Sequence, residues 1–304
     1  MKPHPRRSLT PIPDEQGAEI RQVPAVESLG VAIGHFVCRP HSRRWNEDNF
    51  IRRGHVLAFP RRSLEIAQAG HRRVVAGPGQ VMLYNRDQIY RRRLLDPRGD
   101  DCFFVGVPDR YAAAAIRERD PTVDEHPRRP FRYPRTRLSA RGMLTLRTLI
   151  RTAWSSPVDR LRLEELLVQL LTEVTSTLPP GRDPTPTAPT RESTRKRHRE
   201  LADTLERTLA SRFHEPIGLE EIADAADASP FHAARVFRGQ TGMSLHTYRT
   251  RLRLYAAAAR LLDDRPRLAD LAVDLGFASH SHFCDAFTHH FGCPPSGFRS
   301  RGRV

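Results

Sequence analysis

Lysine is nearly missing from this chain. Only Lys2 and Lys196 occur in 304 residues, although the net charge is +15. Arginine therefore carries almost all of the positive charge. A basic chain suits nucleic acid, but the distribution limits that argument. Residues 195–304 hold 17 Arg/Lys against 13 Asp/Glu, so most of the excess lies in residues 1–194. Cysteine is scarce too. Cys38, Cys102, Cys284 and Cys293 show no CxxC spacing, which excludes a dense disulfide scaffold and leaves free thiols as the expectation. No long apolar run exists. MKPHPRRSLTPIP at the start has charge without a hydrophobic stretch, and nothing later is long enough to span a bilayer. A cytoplasmic protein with no membrane partner is expected. No Ser/His/Asp, Walker or GxGxxG pattern stands out.

What is present is a repeat. Residues 219–240 read LEEIADAADASPFHAARVFRGQ, and residues 268–292 read LADLAVDLGFASHSHFCDAFTHHFG. Each is a short apolar helix, a break, a Ser suited to capping, and a second helix with aromatics. Ser229 and Ser279 lie 50 positions apart, as do Phe237 and Phe287. In the first unit Leu219, Ile222, Ala223 and Ala226 share one helical face. Asp227 and Ala228 make the break, Ser229 caps, and Pro230 suits the first helical turn. A ~100° step then puts Ala233, Val236, Phe237 and Gln240 inward and Phe231, Ala234, Arg235 and Arg238 outward. An Arg-bearing face opposite a buried one fits a helix lodged in a major groove. In the second unit Leu268, Leu271, Ala272 and Leu275 form the first face, and Gly276-Phe277 the break. Phe283, Ala286, Phe287 and His290 are expected inward. Ser281, Asp285 and Thr288 are expected outward, so this face carries no Arg or Lys. Between the units, residues 244–264 read as one long helix capped by Ser244. Its stripe is Leu245, Tyr248, Leu252, Tyr255, Ala259 and Leu262. At ~1.5 Å per residue it spans about 30 Å, close to the ~34 Å of one DNA turn.

These residues resemble the AraC/XylS family of bacterial transcription regulators. The likeness runs from Ile222-Ala223 through Ser229, Phe231-His232, Phe237, Gly242, Tyr248, Arg253, Ala257 and Leu261-Leu262. It continues through Leu271-Ala272, Gly276-Phe277, Ser281-His282-Phe283, Phe287, Phe291-Gly292, Pro294-Pro295 and Phe298-Arg299, about the last 105 residues. The resemblance implies double-stranded DNA as partner. By position it assigns DNA contacts to Phe231, His232, Ala234, Arg235 and Arg238, and to His280, Ser281, His282, Asp285 and Thr288. Asp285 and Thr288 stand where the family often has basic residues. A homodimer, a small-molecule effector, contact with RNA polymerase and an activator role belong to the same implied picture.

Upstream, residues 179–194 (PPGRDPTPTAPTREST) read as a Pro/Thr linker, and 195–213 as a charged helix opening the C-terminal domain 195–304. Residues 1–25 are Pro- and charge-rich, and disorder is expected. Within 26–178, the runs VAIGHFVC, HVLAFP, SLEIAQ, RRVVAG, QVMLYN, QIYRRR and DCFFVGV read as short strands divided by turn residues. Two helices follow, about 139–155 and 158–178. Their Leu-rich stripes, Leu161 included, suit dimerisation or capping of the strands. This order resembles, less specifically, the cupin-like sensor half of AraC-type regulators. GPGQVMLYN (77–85) looks like a cupin's second motif. The expected fold is thus α+β in two domains: a cupin-like β-barrel with a helical pair, then an all-α domain with two helix-turn-helix units.

A metal cupin needs clustered His and carboxylate ligands facing one cavity. His35, His41, His55 and His71 are scattered, and no His follows the GPGQ turn. His280 and Cys284 are close at i, i+4, but four convergent ligands are not in view. No metal, cofactor or catalytic residue is assigned. Candidate effector-lining residues are Phe36, Phe59, Met82, Tyr84, Tyr90 and Phe104, though for each residue taken singly ordinary core is the favoured reading. Cys102, beside Asp100 and Asp101, is expected to be a poor nucleophile, and the stretch Gly99–Cys102 has no chemistry assigned. The reading is a sequence-specific DNA-binding regulator with an effector-sensing half, not an enzyme. The alternatives are a cupin-type enzyme tethered to DNA, which three converging ligands would favour, and an effector-independent architectural DNA-binder.

Overall fold

The computed structural model describes residues 12–13, 18–22, 30–52, 54–155, 158–179, 192–263 and 266–301. Strands occupy the N-terminal half: β1 Ile12–Pro13, β2 Ala18–Gln22, β3 Ala32–Cys38, β4 Asn49–Phe50, β5 His55–Pro60, β6 Leu64–Gln68, β7 Val74–Ala76, β8 Gln80–Tyr84, β9 Ile89–Leu94, β10 Asp100–Val107 and β11 Arg135–Arg137. Three helices belong to this half: α1 Asp109–Arg117, α2 Ala140–Ala153 and α3 Arg160–Ser176. The rest is helical: α4 Glu192–Arg212, α5 Leu219–Asp224, α6 Pro230–Thr241, α7 Leu245–Asp263, α8 Leu268–Asp274, α9 His280–Phe291 and α10 Pro295–Arg301.

The strands form two antiparallel sheets. One has the order β1-β2-β3-β10-β5-β8-β11 and the other β4-β9-β6-β7. The expected closed barrel does not form among the described residues. The chain changes sheet at the short turns joining β5 to β6, β7 to β8 and β8 to β9, so their hydrogen bonds stay within two separate layers. Side-chain alternation sets the layering. On β5, β8 and β10, Leu57, Phe59, Val81, Leu83 and Val105 face the helices and join the core with Leu146, Leu149, Leu163, Leu167 and Leu170. The opposite faces look toward the smaller sheet, where Met82 and Tyr84 pack with Leu64 and Ile66.

Several sequence expectations need correction. The segment 1–25, expected to be disordered, contributes β1 and β2. β2 pairs with β3, and Ala18 is fully buried. β3 supplied an unpaired edge, and edge pairing is a tertiary gain that composition does not reveal. α1, β4 and β11 were not expected. Leu161, placed on the inner stripe of α3, is exposed. The linker lies mostly outside the described residues, and its last three positions, 192–194, already belong to α4.

The two halves are docked. Glu206 on α4 accepts two hydrogen bonds from Arg135 on β11 (2.9 and 3.1 Å) and one from Tyr248 on α7 (2.8 Å). Arg207 pairs with the buried Glu65 at 2.7 Å. The Tyr255 hydroxyl donates to the Leu138 carbonyl at 2.9 Å. A Cβ on Gly79, which sits at φ +80°, would run into the Tyr255 ring, so the close approach of α7 requires glycine there.

Candidate nucleic-acid interface and N-terminal cavity

Local sequence dictates both helix-turn-helix units. The Ser229 hydroxyl accepts from His232 N at 3.4 Å with Pro230 in the first turn, and the Ser279 hydroxyl accepts from His282 N at 3.1 Å. These are N-caps of the expected kind. The breaks use left-handed residues, Asp227 at φ 51° and Gly276 at φ 76°. Both second helices end on a left-handed glycine, Gly242 and Gly292. Ser244 caps α7 through Thr247 N at 3.1 Å. With 19 residues, α7 is about 28 Å long.

Buried Arg253 ties the units together. From α7 it donates to the carbonyls of Phe213 (2.5 Å), Gly276 (2.6 Å) and Glu215 (3.1 Å), and it lies over the Phe277 ring. All three hydrogen-bond partners are backbone carbonyls. Burial, with Arg249 nearby, pushes its pKa down to about 10. The residue fixes the second unit's turn against the end of α4.

On α6, Ala233, Val236 and Phe237 are buried as expected, whereas Gln240, expected inward, is exposed. Phe231 is 91% exposed. Arg235 and Arg238 are exposed with no carboxylate partner among the described residues, and Arg235 reaches His232 Nδ1 at 3.4 Å. His232 also meets the His198 ring edge-on, and Ala234 is half-buried. The α6 face thus offers two guanidiniums without a carboxylate partner among the described residues, beside an outward aromatic ring.

On α9, Phe283 and Phe287 are buried, and Ala286 and His290 half-buried. His280, Ser281, His282, Asp285 and Thr288 are all exposed. The Thr288 hydroxyl donates back to the Cys284 carbonyl at 2.7 Å. Asp285 has no hydrogen-bond or ion-pair partner among the described residues. His280 and Cys284 meet at 3.4 Å. Among the described residues no group of three or more His, Cys, Asp or Glu could hold a metal ion.

In the N-terminal half a cavity of about 1310 Å³ opens between the two sheets. Five of the six proposed lining residues reach it: Phe36, Met82, Tyr84, Tyr90 and Phe104. Phe59 does not. It stands on the other face of β5, with Phe103, Leu138 and Tyr255 at the contact with α7. Sequence reasoning missed the polar centre of the cavity, Arg92 and Asp100. Arg92 Nη1 donates to Asp100 Oδ2 at 2.9 Å and Nη2 to the Tyr90 hydroxyl at 2.7 Å, and the guanidinium sits 4.6 Å from the Phe36 ring centroid. The signal was parity: Arg92 shares its strand face with Tyr90. Burial pushes the Asp100 carboxyl up against the pull of Arg92. It also pushes the Cys102 thiol well up, with Asp100 adding to the effect. Asp101 points elsewhere, to His35 at 2.8 Å. Gly99 turns the chain at φ +92°, where a Cβ would strike the Cys38 carbonyl. The stretch Gly99–Cys102 therefore serves turn, buried charge and cavity wall.

Comparison with known proteins bears on the C-terminal part. Residues 222–301 match a helix-turn-helix domain family. The bifunctional transcriptional activator/DNA repair enzyme AdaA of Bacillus subtilis is 29% identical over 105 residues, 34% of this chain and 50% of AdaA. The regulatory protein SoxS of Salmonella typhimurium is 29% identical over 104 residues, 34% of this chain but 97% of SoxS. The C-terminal part of this chain is an AraC-type helix-turn-helix domain. The crystal structure of the AdpA DNA-binding domain with a target DNA is 25% identical, covering 34% of this chain and 93% of that one at a TM-score of 0.32. The matched part of this chain thus spans only half of AdaA. No described helix is long and apolar enough to cross a membrane.

Proposed function

We propose that this chain is a sequence-specific DNA-binding transcriptional regulator of the cytoplasm, controlled by a small molecule taken into a cupin-like N-terminal half. The observation that carries the DNA reading is the α6 face: Phe231, Arg235 and Arg238 lie outward on the second helix of an AraC-type unit, the two guanidiniums with no carboxylate partner among the described residues. Guanidiniums free of carboxylates are available to phosphates and to guanine edges. The sensing reading rests on the cavity and its aromatic walls. The AraC-type part of this chain corresponds to nearly all of SoxS, which supports treating residues 195–304 as a reader in its own right. A homodimer fits paired half-sites. α3 offers a face for it, with Leu161 at 69% and Val168 at 50% exposure, seven residues apart.

The test is selection of genomic DNA fragments by the purified full chain, with and without cell extract. Enrichment of fragments sharing one motif, with an affinity that changes on adding extract, is the expected result. Retention no better than random DNA at low salt refutes the reader. Retention indifferent to extract refutes the sensor.

A further inference from the structure

Residues 195–199 read RKRHR, four cationic side chains in five positions. They belong to the early turns of α4, ahead of Ala202, the first buried residue of that helix. The core of the C-terminal domain therefore does not depend on them. The ordinary fate of such charge is pairing along the helix, and here pairing accounts for one side chain. Lys196 lies 4.0 Å from Glu200. Arg195, Arg197 and Arg199 have no carboxylate partner among the described residues, and Arg199 Nε donates to the Arg195 carbonyl at 3.1 Å.

Their place in the fold gives these arginines a task. His198, inside the run, meets the His232 ring edge-on with 5.7 Å between centroids. His232 stands on the flank of α6, and its Nδ1 is 3.4 Å from Arg235 Nη2. The run is thus two side-chain contacts away from Arg235. Packed helices lie about 8–10 Å apart, and the major groove is about 12 Å wide. A helix that touches α6 beside Arg235 is carried to the wall of the groove, and that wall is phosphate. Around α4 a ~100° step puts Arg195 and Arg199 on one flank of His198 and Arg197 on the other. One flank faces the backbone at a time, so one or two of the three guanidiniums can hold phosphates.

We propose that residues 195–199 are a second DNA-holding element: their arginines grip the sugar–phosphate backbone beside the groove that α6 enters, without reading bases. This rests on the DNA reading and adds a site to it.

The test is the full chain carrying Arg195→Gln, Arg197→Gln and Arg199→Gln together, with DNA affinity measured against salt. Gln keeps the helix propensity, and the positions precede the core, so the melting temperature should stay that of the unaltered chain. The salt dependence should flatten by about one or two counterions. Affinity should fall by the same factor on a fragment retained in the genomic selection and on random DNA. Arg195→Lys, Arg197→Lys and Arg199→Lys together should keep the salt dependence, because a point charge still holds phosphate. Ethylation interference on the retained fragment should lose phosphates at one edge of the site in the Gln variant and keep the others. An unchanged salt dependence in the Gln variant overturns the proposal. A loss confined to the retained fragment also overturns it, since that is base reading. An unaltered chain that holds no DNA at low salt sinks the DNA reading itself. Firm binding with the Gln variant indistinguishable from it sinks this site alone.

Discussion

Glu206 joins three elements, and its removal should be costly. In Glu206→Ala the Arg135 guanidinium loses both carboxylate bonds and keeps the Val75 carbonyl, and the Tyr248 hydroxyl loses its acceptor. Breaking one side of a buried ion pair costs about 3–5 kcal/mol. The Arg135 side chain keeps 27% exposure, so water reaches it and the lower end applies, about 3 kcal/mol. The orphaned Tyr248 hydroxyl adds about 1 kcal/mol. The expected loss is therefore about 3–4 kcal/mol, and it falls on the contact between the halves. Urea denaturation of the full chain should show a lower midpoint and a separation into two transitions, since a weakened interface uncouples the halves. Replacing both partners, Arg135→Met with Glu206→Leu, leaves no unpaired charge and should recover most of the loss. A cost below about 1 kcal/mol for Glu206→Ala, the value of a surface pair, would refute the reasoning.

Three further outcomes are expected. Arg235→Ala should remove about 1–3 kcal/mol of discrimination between operator and random DNA, as expected of a guanidinium on guanine; equal losses on both DNAs would make Arg235 a phosphate contact. Asp285→Arg should tighten binding to most sequences and steepen the salt dependence by about one or two counterions, because the unpaired carboxylate repels the backbone; weaker operator binding in that variant and in Asp285→Ala would show that Asp285 reads a base. His55 is fully buried, and burial holds its pKa below 6.5, with Nδ1 accepting from Arg86 N at 3.2 Å. The unfolded chain therefore takes the proton first, and stability should fall as pH drops through 6.5; thermal melts between about pH 7.5 and 5.5 should slope less in His55→Gln, and equal slopes would exclude His55 as the cause.

The reader was legible because its signals are local. Caps, left-handed breaks and apolar faces of α5 to α9 each lie within a few residues of what they control. The N-terminal half was legible only as strands. Whether they close into a barrel depends on pairing between distant segments, and the separate sheets could not be read from turn residues. Phe59 shows the same limit at one residue. HVLAFP is apolar on both faces because β5 is buried on both, so no polar alternation told cavity from helix layer. Arg92 escaped for the opposite reason. The run QIYRRR reads as a strand that singles out none of its arginines, and of the three only Arg92 is buried.

The repeat separates what folding demands from what recognition demands. Three pairs 50 apart that agree are structural: Ser229 and Ser279 cap, Phe237 and Phe287 fill the core, Gly242 and Gly292 end the helices. Three pairs that disagree are exposed: Phe231 corresponds to Ser281 across the repeat, Arg235 to Asp285, and Arg238 to Thr288. Nothing in the packing of either unit constrains those outward side chains, so their divergence reflects what each face meets. Two guanidiniums and an aromatic ring on α6 can engage phosphates and bases together. A carboxylate and two hydroxyls on α9 bring no charge to offset the phosphates. We therefore expect α6 to grip the DNA and α9 to attach weakly. Affinity should depend chiefly on the first, with α7 setting how far along the groove the second can reach.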